Sequence, residues 1–137
     1  MLNRRTFCLA LGGAPLALAA ESIDQKGARQ AAETWLALID GGDYAASWET
    51  AASPFRQRVP KDRWEQMAGQ VRQPLGAVES RQLAGSQPTT SAPGAPDGEY
   101  VILEYKTAFA HKKQAVERIT PMKDSDGSWR VAGYFIR

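Results

Sequence analysis

Apolar side chains recur at every third or fourth position in the first half of the chain. Between residues 24 and 40 this period predicts an amphipathic helix, which Asp24 caps and the glycines at 41–42 end. Two shorter segments, 44–52 and 61–72, have the same period and similar boundary residues. In the last of these, the predicted buried stripe consists of Trp64, Met67, Ala68 and Val71. The first half is therefore predicted to form three helices.

The second half changes to the two-residue period that is typical of strands. In the stretch 99–110, apolar residues alternate with polar ones and fall on one face. Three further segments are predicted strands: 77–84, 114–122 and 128–137. The stretch 85–98 carries three prolines and three glycines, which predicts a mobile loop. Helices followed by antiparallel strands predict an α+β fold, with N-terminal helices packed on a curved four-stranded sheet.

The register of the strands decides which charged side chain faces the helices. With two-residue turns between the last three strands, Tyr105 lies opposite Arg118, and Arg118 lies opposite Phe135. This register places Arg118 on the apolar face, so we predict that it binds a small anionic ligand together with Tyr105 and Trp129. A helix carboxylate is the alternative partner for Arg118. A shift of one residue would instead turn Arg118 outward and bring Glu117 inward.

Arg72 and Arg81 bracket a Pro-Leu-Gly corner at 74–76 between the last predicted helix and the first predicted strand. An arginine at a helix C-terminus interacts favourably with the exposed carbonyl groups. An arginine on the adjoining strand can pair with a nearby acid. We therefore interpret both as structural corner residues. The alternative is an anion clamp, since arginine binds carboxylate or phosphate in two-pronged geometry.

Few residues suggest catalysis. The single histidine, His111, lies in a predicted turn, and the single cysteine, Cys8, lies near the N-terminus, so no metal site and no cofactor are predicted. The leading hypothesis is a non-catalytic module that binds a small ligand or a protein partner. The alternative is a small pocket enzyme of the isomerase or hydratase type, with Glu104, Glu117 and Tyr105 as its candidate residues.

The N-terminus has the features of a targeting segment. Arg4 and Arg5 precede a moderately apolar stretch at 7–18, and Ala-Leu-Ala at 17–19 is a cleavage signal. We predict a signal peptide at 1–20, a single domain at 21–137 and a periplasmic or secreted protein with no stable membrane anchor after cleavage. The stretch "NRRTFC" is also similar to a twin-arginine export signal.

The charge balance bears on the class of partner. The chain has 17 basic and 15 acidic residues, and Arg4 and Arg5 account for the difference. The predicted mature domain is therefore neutral overall, which argues against nucleic-acid binding. The outer face of the predicted sheet is apolar enough for a homodimer interface. Its predicted members are Tyr100, Ile102, Ala108, Ile119, Tyr134 and Ile136.

Several sequence blocks resemble a known bacterial family. They include "WLALIDGGDYAASWETAASPF", "RQPLGAVESR", "PDGEYVILEYKTAF", "AVERITP" and "DGSWRVAGYFIR". Their order and spacing are similar to those of the family called domain of unknown function 4019, from about residue 30 to residue 137. The resemblance implies a small exported protein whose helix-then-sheet order is similar to the cystatin or nuclear-transport-factor class of cone-shaped folds. It implies no catalytic residues.

Overall fold

The computed structural model describes residues 22–137, so the predicted signal peptide, with Arg4, Arg5 and Cys8, lies outside the described residues. The helices are α1 (Gln25–Asp40), α2 (Tyr44–Glu49), α3 (Ser53–Arg58) and α4 (Lys61–Arg72), and a 3-10 turn follows at Gln73–Leu75. The strands are β1 (Val78–Thr89), β2 (Tyr100–Phe109), β3 (Lys112–Lys123) and β4 (Trp129–Ile136). They form one antiparallel sheet in the order β1-β2-β3-β4. The predicted α+β class is confirmed.

Local chemistry explains the helix boundaries. The side chain of Asp24 accepts a hydrogen bond from the backbone N–H of Gly27 at 2.9 Å and so caps α1. A fourth helix, α3, was not predicted. Pro54 lies in its first turn, where a missing backbone N–H costs no hydrogen bond, and α2 ends before it, at Glu49 and not at residue 52 as predicted.

The main core lies between the helices and one face of the sheet. That face carries the odd-numbered residues of β2, and α1 contributes the largest share of the helical side. The principal buried residues are Trp35, Leu36, Ile39, Val101, Leu103, Tyr105 and Ile119. Burying each large apolar side chain is worth about 1.5–3 kcal/mol. The packing of this apolar core therefore fixes the positions of the buried polar side chains next to it, such as Glu117 and Arg72.

The segment 85–98, which was predicted to be a loop, begins as part of a strand and ends as a loop that covers part of the sheet. β1 continues to Thr89, beyond the predicted end at residue 84. The chain then folds over the outer face of the sheet, where Ala92 and Ala95 pack on Tyr100 and Met122. The Tyr100 hydroxyl also donates a hydrogen bond to the backbone carbonyl of Pro96. The segment after Thr89 therefore covers a small second core.

The register between β2 and β3 differs from the prediction by one residue. Glu104 pairs with Arg118, and Tyr105 pairs with Glu117. The turn lies at residues 110–111, one position earlier than expected, and the ladder is irregular between Thr107 and Phe109. Glu117 therefore faces the helices and Arg118 faces outward.

A β-bulge in β4 changes which side chains of this strand face the helices and which face outward. Thr120 pairs with Gly133 and Pro121 pairs with Val131, so Ala132 is an extra residue on β4. Pro121 lacks the backbone N–H that a regular ladder would need at this point. Because of the bulge, Val131 and Tyr134 both pack with the main core.

The predicted dimer patch on the outer face is wrong in most of its members. Ile119 and Tyr134 belong to the main core, Ile136 pairs with the inward-facing Glu117, and Tyr100 is covered. No helix between residues 22 and 137 is long and apolar enough to cross a membrane.

Candidate functional site

Glu117 is the centre of a buried polar cluster. It is 0% exposed, and each of its oxygens accepts two hydrogen bonds. Arg81 donates from Nε at 2.7 Å to Oε1 and from Nη2 at 3.2 Å to Oε2. Thr107 donates to Oε1 at 2.6 Å, and the hydroxyl of Tyr134 donates to Oε2. The carboxylate is fully occupied by groups of its own chain.

Asp40, at the end of α1, joins both arginines of the Pro-Leu-Gly corner. Arg81 donates to its two oxygens at 2.8 and 3.0 Å, and Arg72 Nη2 donates at 3.0 Å. Burial raises the pKa of the Asp40 carboxyl, but the hydrogen bonds and charges of Arg81 and Arg72 outweigh it and lower the pKa below its ordinary value. Burial lowers the pKa of Arg81, and Asp40 and Glu117 outweigh it and raise this pKa. The corner is a balanced group of two cations and two anions.

Arg72 is buried, and its guanidinium carbon lies 4.9 Å from the centre of the Phe109 ring. Its Nε and Nη1 find no acceptor among the described residues and expose almost no surface. Arg72 thus contacts side chains of α1 and β2, and Arg81 contacts side chains of α1 and β3. Asp40 and Glu117 hold the positions that an anion would take in a clamp.

Tyr105 is buried on the helix-facing side of β2. Its hydroxyl donates to Glu33 Oε2 at 2.9 Å, and Arg29 donates to the same oxygen at 2.7 Å. Burial, followed by the Glu33 carboxylate, raises the pKa of Tyr105. Burial raises the pKa of Glu33, but hydrogen bonds from Arg29 and Tyr105 outweigh it and lower this pKa.

The predicted ligand contacts do not come together. Arg118 lies on the outer face with its side chain 43% exposed, and it pairs with Glu104 at 2.6 Å. Tyr105 is in the core, and Trp129 lies at the start of β4 beside Gly27 of α1. The expected position of Arg118 on the interior face is wrong, because it assumed a regular ladder, and the irregularity between Thr107 and Phe109 gives a register that differs by one residue.

The candidate residues of the pocket enzyme are also separated. Glu104 faces outward with Arg118, whereas Glu117 and Tyr105 are enclosed. No lone pair of Glu117 is left for a substrate, since both oxygens already accept two bonds. Within residues 22–137, no cluster of three or more acidic, histidine or cysteine side chains is arranged to hold a metal ion.

The surface has one apolar feature that the sequence pattern did not reveal. Met67, Val71 and Phe135 are the large hydrophobic residues classed as exposed within residues 22–137, at 46%, 51% and 53% respectively. All three line a groove of about 250 Å³ between α4 and the end of β4. The other lining residues are Trp64, Ala68, Arg72, Tyr134 and Ile136.

The sequence predicted that Met67 and Val71 would be buried with Trp64 and Ala68. Only Trp64 and Ala68 are buried, because α4 packs mainly against α2, with the edge of its apolar stripe turned to solvent. Phe135 was expected on the helix-facing side, and the bulge at Ala132 turns it outward. The apolar stripe of α4 contains Trp64, Met67, Ala68 and Val71 and is wider than the part that α2 covers. This width is the sequence signal that could have indicated an exposed apolar surface.

We call the surface formed by these eight residues the α4–β4 groove, and we take it as the candidate functional site. A comparison with curated proteins finds no match for the chain. The family model described as "Protein of unknown function (DUF4019)" matches residues 31–134. The match spans most of the chain, including α4 and β4 as far as Tyr134, so this protein belongs to the DUF4019 family of proteins of unknown function.

Proposed function

We propose that this protein is a non-catalytic protein-interaction module and that its binding surface is the α4–β4 groove. One observation carries the proposal. The three large hydrophobic residues classed as exposed in residues 22–137 are not scattered, since all three line the same groove. Met67 and Val71 belong to α4, and the ring of Phe135 lies on the outer-face side, 5.9 Å from the guanidinium carbon of Arg118. Single exposed apolar residues need no explanation, whereas a contiguous apolar patch is typical of an interaction site.

The energetics favour an apolar partner. Removing apolar surface from water contributes about 25 cal/mol per Å², so covering Met67, Val71 and Phe135 would stabilise a complex. The only charged member of the groove is Arg72, which is buried and paired with Asp40. The contact surface of the partner should therefore be apolar and uncharged, and a small anionic ligand is less well supported.

The pocket-enzyme hypothesis has less support. A general base needs a lone pair within reach of a substrate. The enclosed carboxylate of Glu117 accepts from Arg81, Thr107 and Tyr134, and no part of it is exposed. Its interactions are those of a structural residue that joins strands.

The binding surface can be tested with an uncharged fluorescent probe, N-phenyl-1-naphthylamine, which becomes brighter in apolar surroundings. We expect the purified protein, kept dilute enough that no second chain covers the groove, to bind the probe and Val71→Glu to weaken this binding at least about tenfold, a factor that corresponds to about 1.4 kcal/mol. Gln70→Glu is the matched control, since it places the same charge on the exposed side of the same helix. Equal probe binding by the three proteins would contradict the proposal.

We also propose that the module acts in the periplasm or is secreted. The support is the pair Arg4 and Arg5 before an apolar stretch and the Ala-Leu-Ala signal at 17–19. Cell fractionation and N-terminal sequencing should find an exported chain that begins near Glu21. Replacing both arginines with lysine should retain the precursor in the cytoplasm if export uses the twin-arginine route. A cytoplasmic chain that keeps residues 1–20 would contradict export.

A further inference from the structure

We infer that the partner of the α4–β4 groove is a second copy of this chain, and that the two copies pair through the free edge of β4. This inference rests on the proposed function, because it names the occupant of the same surface. It differs from the dimer predicted from the sequence, which used the outer face of the sheet.

The two edges of the sheet differ in their protection against pairing. Along the β1 edge, Glu79 and Arg81 carry charges, Pro88 lacks an N–H, and the ladder is interrupted twice. These are features by which natural sheets prevent edge-to-edge association. At the other edge, the end of β4 reads Gly-Tyr-Phe-Ile from residue 133 to residue 136, with no charge and no proline.

The backbone of β4 shows which groups are free to pair. Arg137 exchanges both backbone hydrogen bonds with Val116 of β3, at 2.9 and 3.0 Å. Because alternate residues of an antiparallel strand point their backbone groups to opposite sides, the N–H and C=O groups of Tyr134 and Ile136 point away from β3. Upstream, the carbonyl of Val131 already accepts from the N–H of Ala52 at 2.8 Å. The available edge is therefore short, from about residue 133 to residue 137.

This short edge is complementary to itself. In an antiparallel pair of two β4 strands, Tyr134 of one copy lies opposite Ile136 of the second copy, and the reverse pair follows from the twofold symmetry. Both members of each pair present their backbone groups to the edge, so each pair exchanges two hydrogen bonds. Phe135 lies on the twofold axis opposite Phe135 of the second copy. The two form a non-hydrogen-bonded pair, in which the side chains of opposite residues come closest.

The charges around the edge are compatible with this pairing. Arg118, which is beside Phe135 in the sheet, is neutralised by Glu104 of its own copy at 2.6 Å. Arg137 would lie opposite Gly133 of the second copy and so meet no like charge. The edge of β4 is uncharged, and the arginine beside it is paired with a glutamate of its own copy. Two such edges can pair without burying a charged group that has no partner.

The exposed residues of α4 support the same arrangement. Met67 and Val71 line the groove together with Tyr134 and Ile136. In the paired sheet, the α4 helices of both copies therefore lie beside the junction. Met67, Val71 and Phe135 all become covered by one symmetric contact, which explains why these three are exposed in a single chain.

Sedimentation equilibrium of the purified protein tests the inference, and we expect twice the mass of one chain. Phe135→Lys places two like charges opposite each other at the axis and should raise the dimer dissociation constant at least about tenfold. Ile136→Pro removes an N–H that points away from β3, so it should dissociate the dimer without disturbing the ladder with β3. Gln87→Lys is the control, since it adds the same charge at the exposed edge of β1.

Each outcome decides between the two proposals. A wild-type protein that is monomeric at its highest soluble concentration, or a dimer that survives both β4 variants, overturns the second copy as occupant. If such a monomer still binds N-phenyl-1-naphthylamine and Val71→Glu abolishes that binding, the groove stands as an interaction site for another partner. If the monomer does not bind the probe at all, the proposed function fails as well. Circular dichroism checks that each variant is folded.

Discussion

Arg81 and Glu117 form a two-pronged ion pair across the interior of the sheet, with Nε–Oε1 at 2.7 Å and Nη2–Oε2 at 3.2 Å. They lie on β1 and β3, which are not neighbours, and Thr107 of the intervening β2 donates to the same carboxylate. Tyr134 of β4 completes the set. Glu117 belongs to β3, and its carboxylate accepts hydrogen bonds from side chains of the other three strands. It therefore fixes the positions of the four strands relative to one another.

Replacing Glu117 should destabilise the fold strongly. Glu117→Gln removes one of the two negative charges that Arg81 faces, and breaking a buried pair by removing one partner costs about 3–5 kcal/mol. Urea unfolding followed by tryptophan fluorescence measures the loss. Glu104→Gln is the matched control, because it removes the exposed partner of Arg118, and we expect a much smaller loss there. Equal losses in the two variants would contradict a structural role for the buried cluster.

Gly76 should not tolerate a side chain. Its φ is +78°, and a Cβ there would lie 2.8 Å from Cδ2 of His111. With ψ at −167° this backbone conformation is essentially restricted to glycine, so Gly76→Ala combines backbone strain of about 1–3 kcal/mol with a steric clash. Gly94→Ala separates the two effects, since Gly94 has φ +73° and nothing within 4 Å of such a Cβ. Thermal unfolding should show a larger decrease in Tm for Gly76→Ala. Adding His111→Ala should recover part of it, and no recovery would argue against the clash.

Asp124 should stabilise the start of α3 from a distant part of the chain. Its Oδ2 accepts from both the backbone N–H and the hydroxyl of Ser53, each at 2.9 Å. Burial raises the pKa of this carboxyl, but the hydrogen bonds from Ser53 and Ser125 outweigh it and lower the pKa. Asp124→Ala should reduce the free energy of unfolding by about 1–2 kcal/mol, as loss of a helix cap does. Asp97→Ala, in the exposed loop, should have less effect, and the reverse order would refute the capping role.

The protein should lose stability at high pH. Burial first, and then the neighbouring carboxylates, raise the pKa values of Tyr105 and Tyr134. Above about pH 10 a tyrosine in the unfolded chain releases its proton, while these two keep theirs in the folded state. The unfolded state then binds fewer protons, so the free energy of unfolding falls as the pH rises beyond that point.

Absorbance at 295 nm measures this titration of the tyrosines. In the folded protein, Tyr105 and Tyr134 should ionise only together with the loss of structure seen by circular dichroism. Tyr134→Phe should remove part of the pH dependence, because it deletes one of the two groups. Ionisation of both tyrosines while the fold is intact would contradict their burial against Glu33 and Glu117.

The local patterns predicted most of the fold. The helices α1 and α4, the α+β class and the apolar face of β2 follow from side-chain periodicity and capping residues, and these depend only on near neighbours. The fourth helix was missed because a proline predicts a helix end as readily as a helix start, and here α2 ends earlier, at Glu49, while Pro54 lies in the first turn of α3. The continuation of β1 to Thr89 was missed because Gly85 and Pro88 are typical of loops, although an edge strand tolerates them.

The candidate site was less accessible to sequence analysis. A strand has a side-chain period of two, so the one-residue shift between Arg118 and Glu117 exchanges the buried residue and the exposed one. The shift depends on the irregularity between Thr107 and Phe109, and the position of Phe135 depends on the bulge at Ala132. Neither has a signal in the pattern of apolar residues.

The sequence by itself determined the helical and extended segments, the balance of charge and the family, because these are properties of neighbouring residues or of the chain as a whole. Only the tertiary structure decided that Glu117 is enclosed by Arg81 and Tyr134 and that Met67, Val71 and Phe135 share one groove. The physical reason is that burial depends on which elements pack together, and residues 67 and 135 line one groove only after the sheet and the helices have closed around the core.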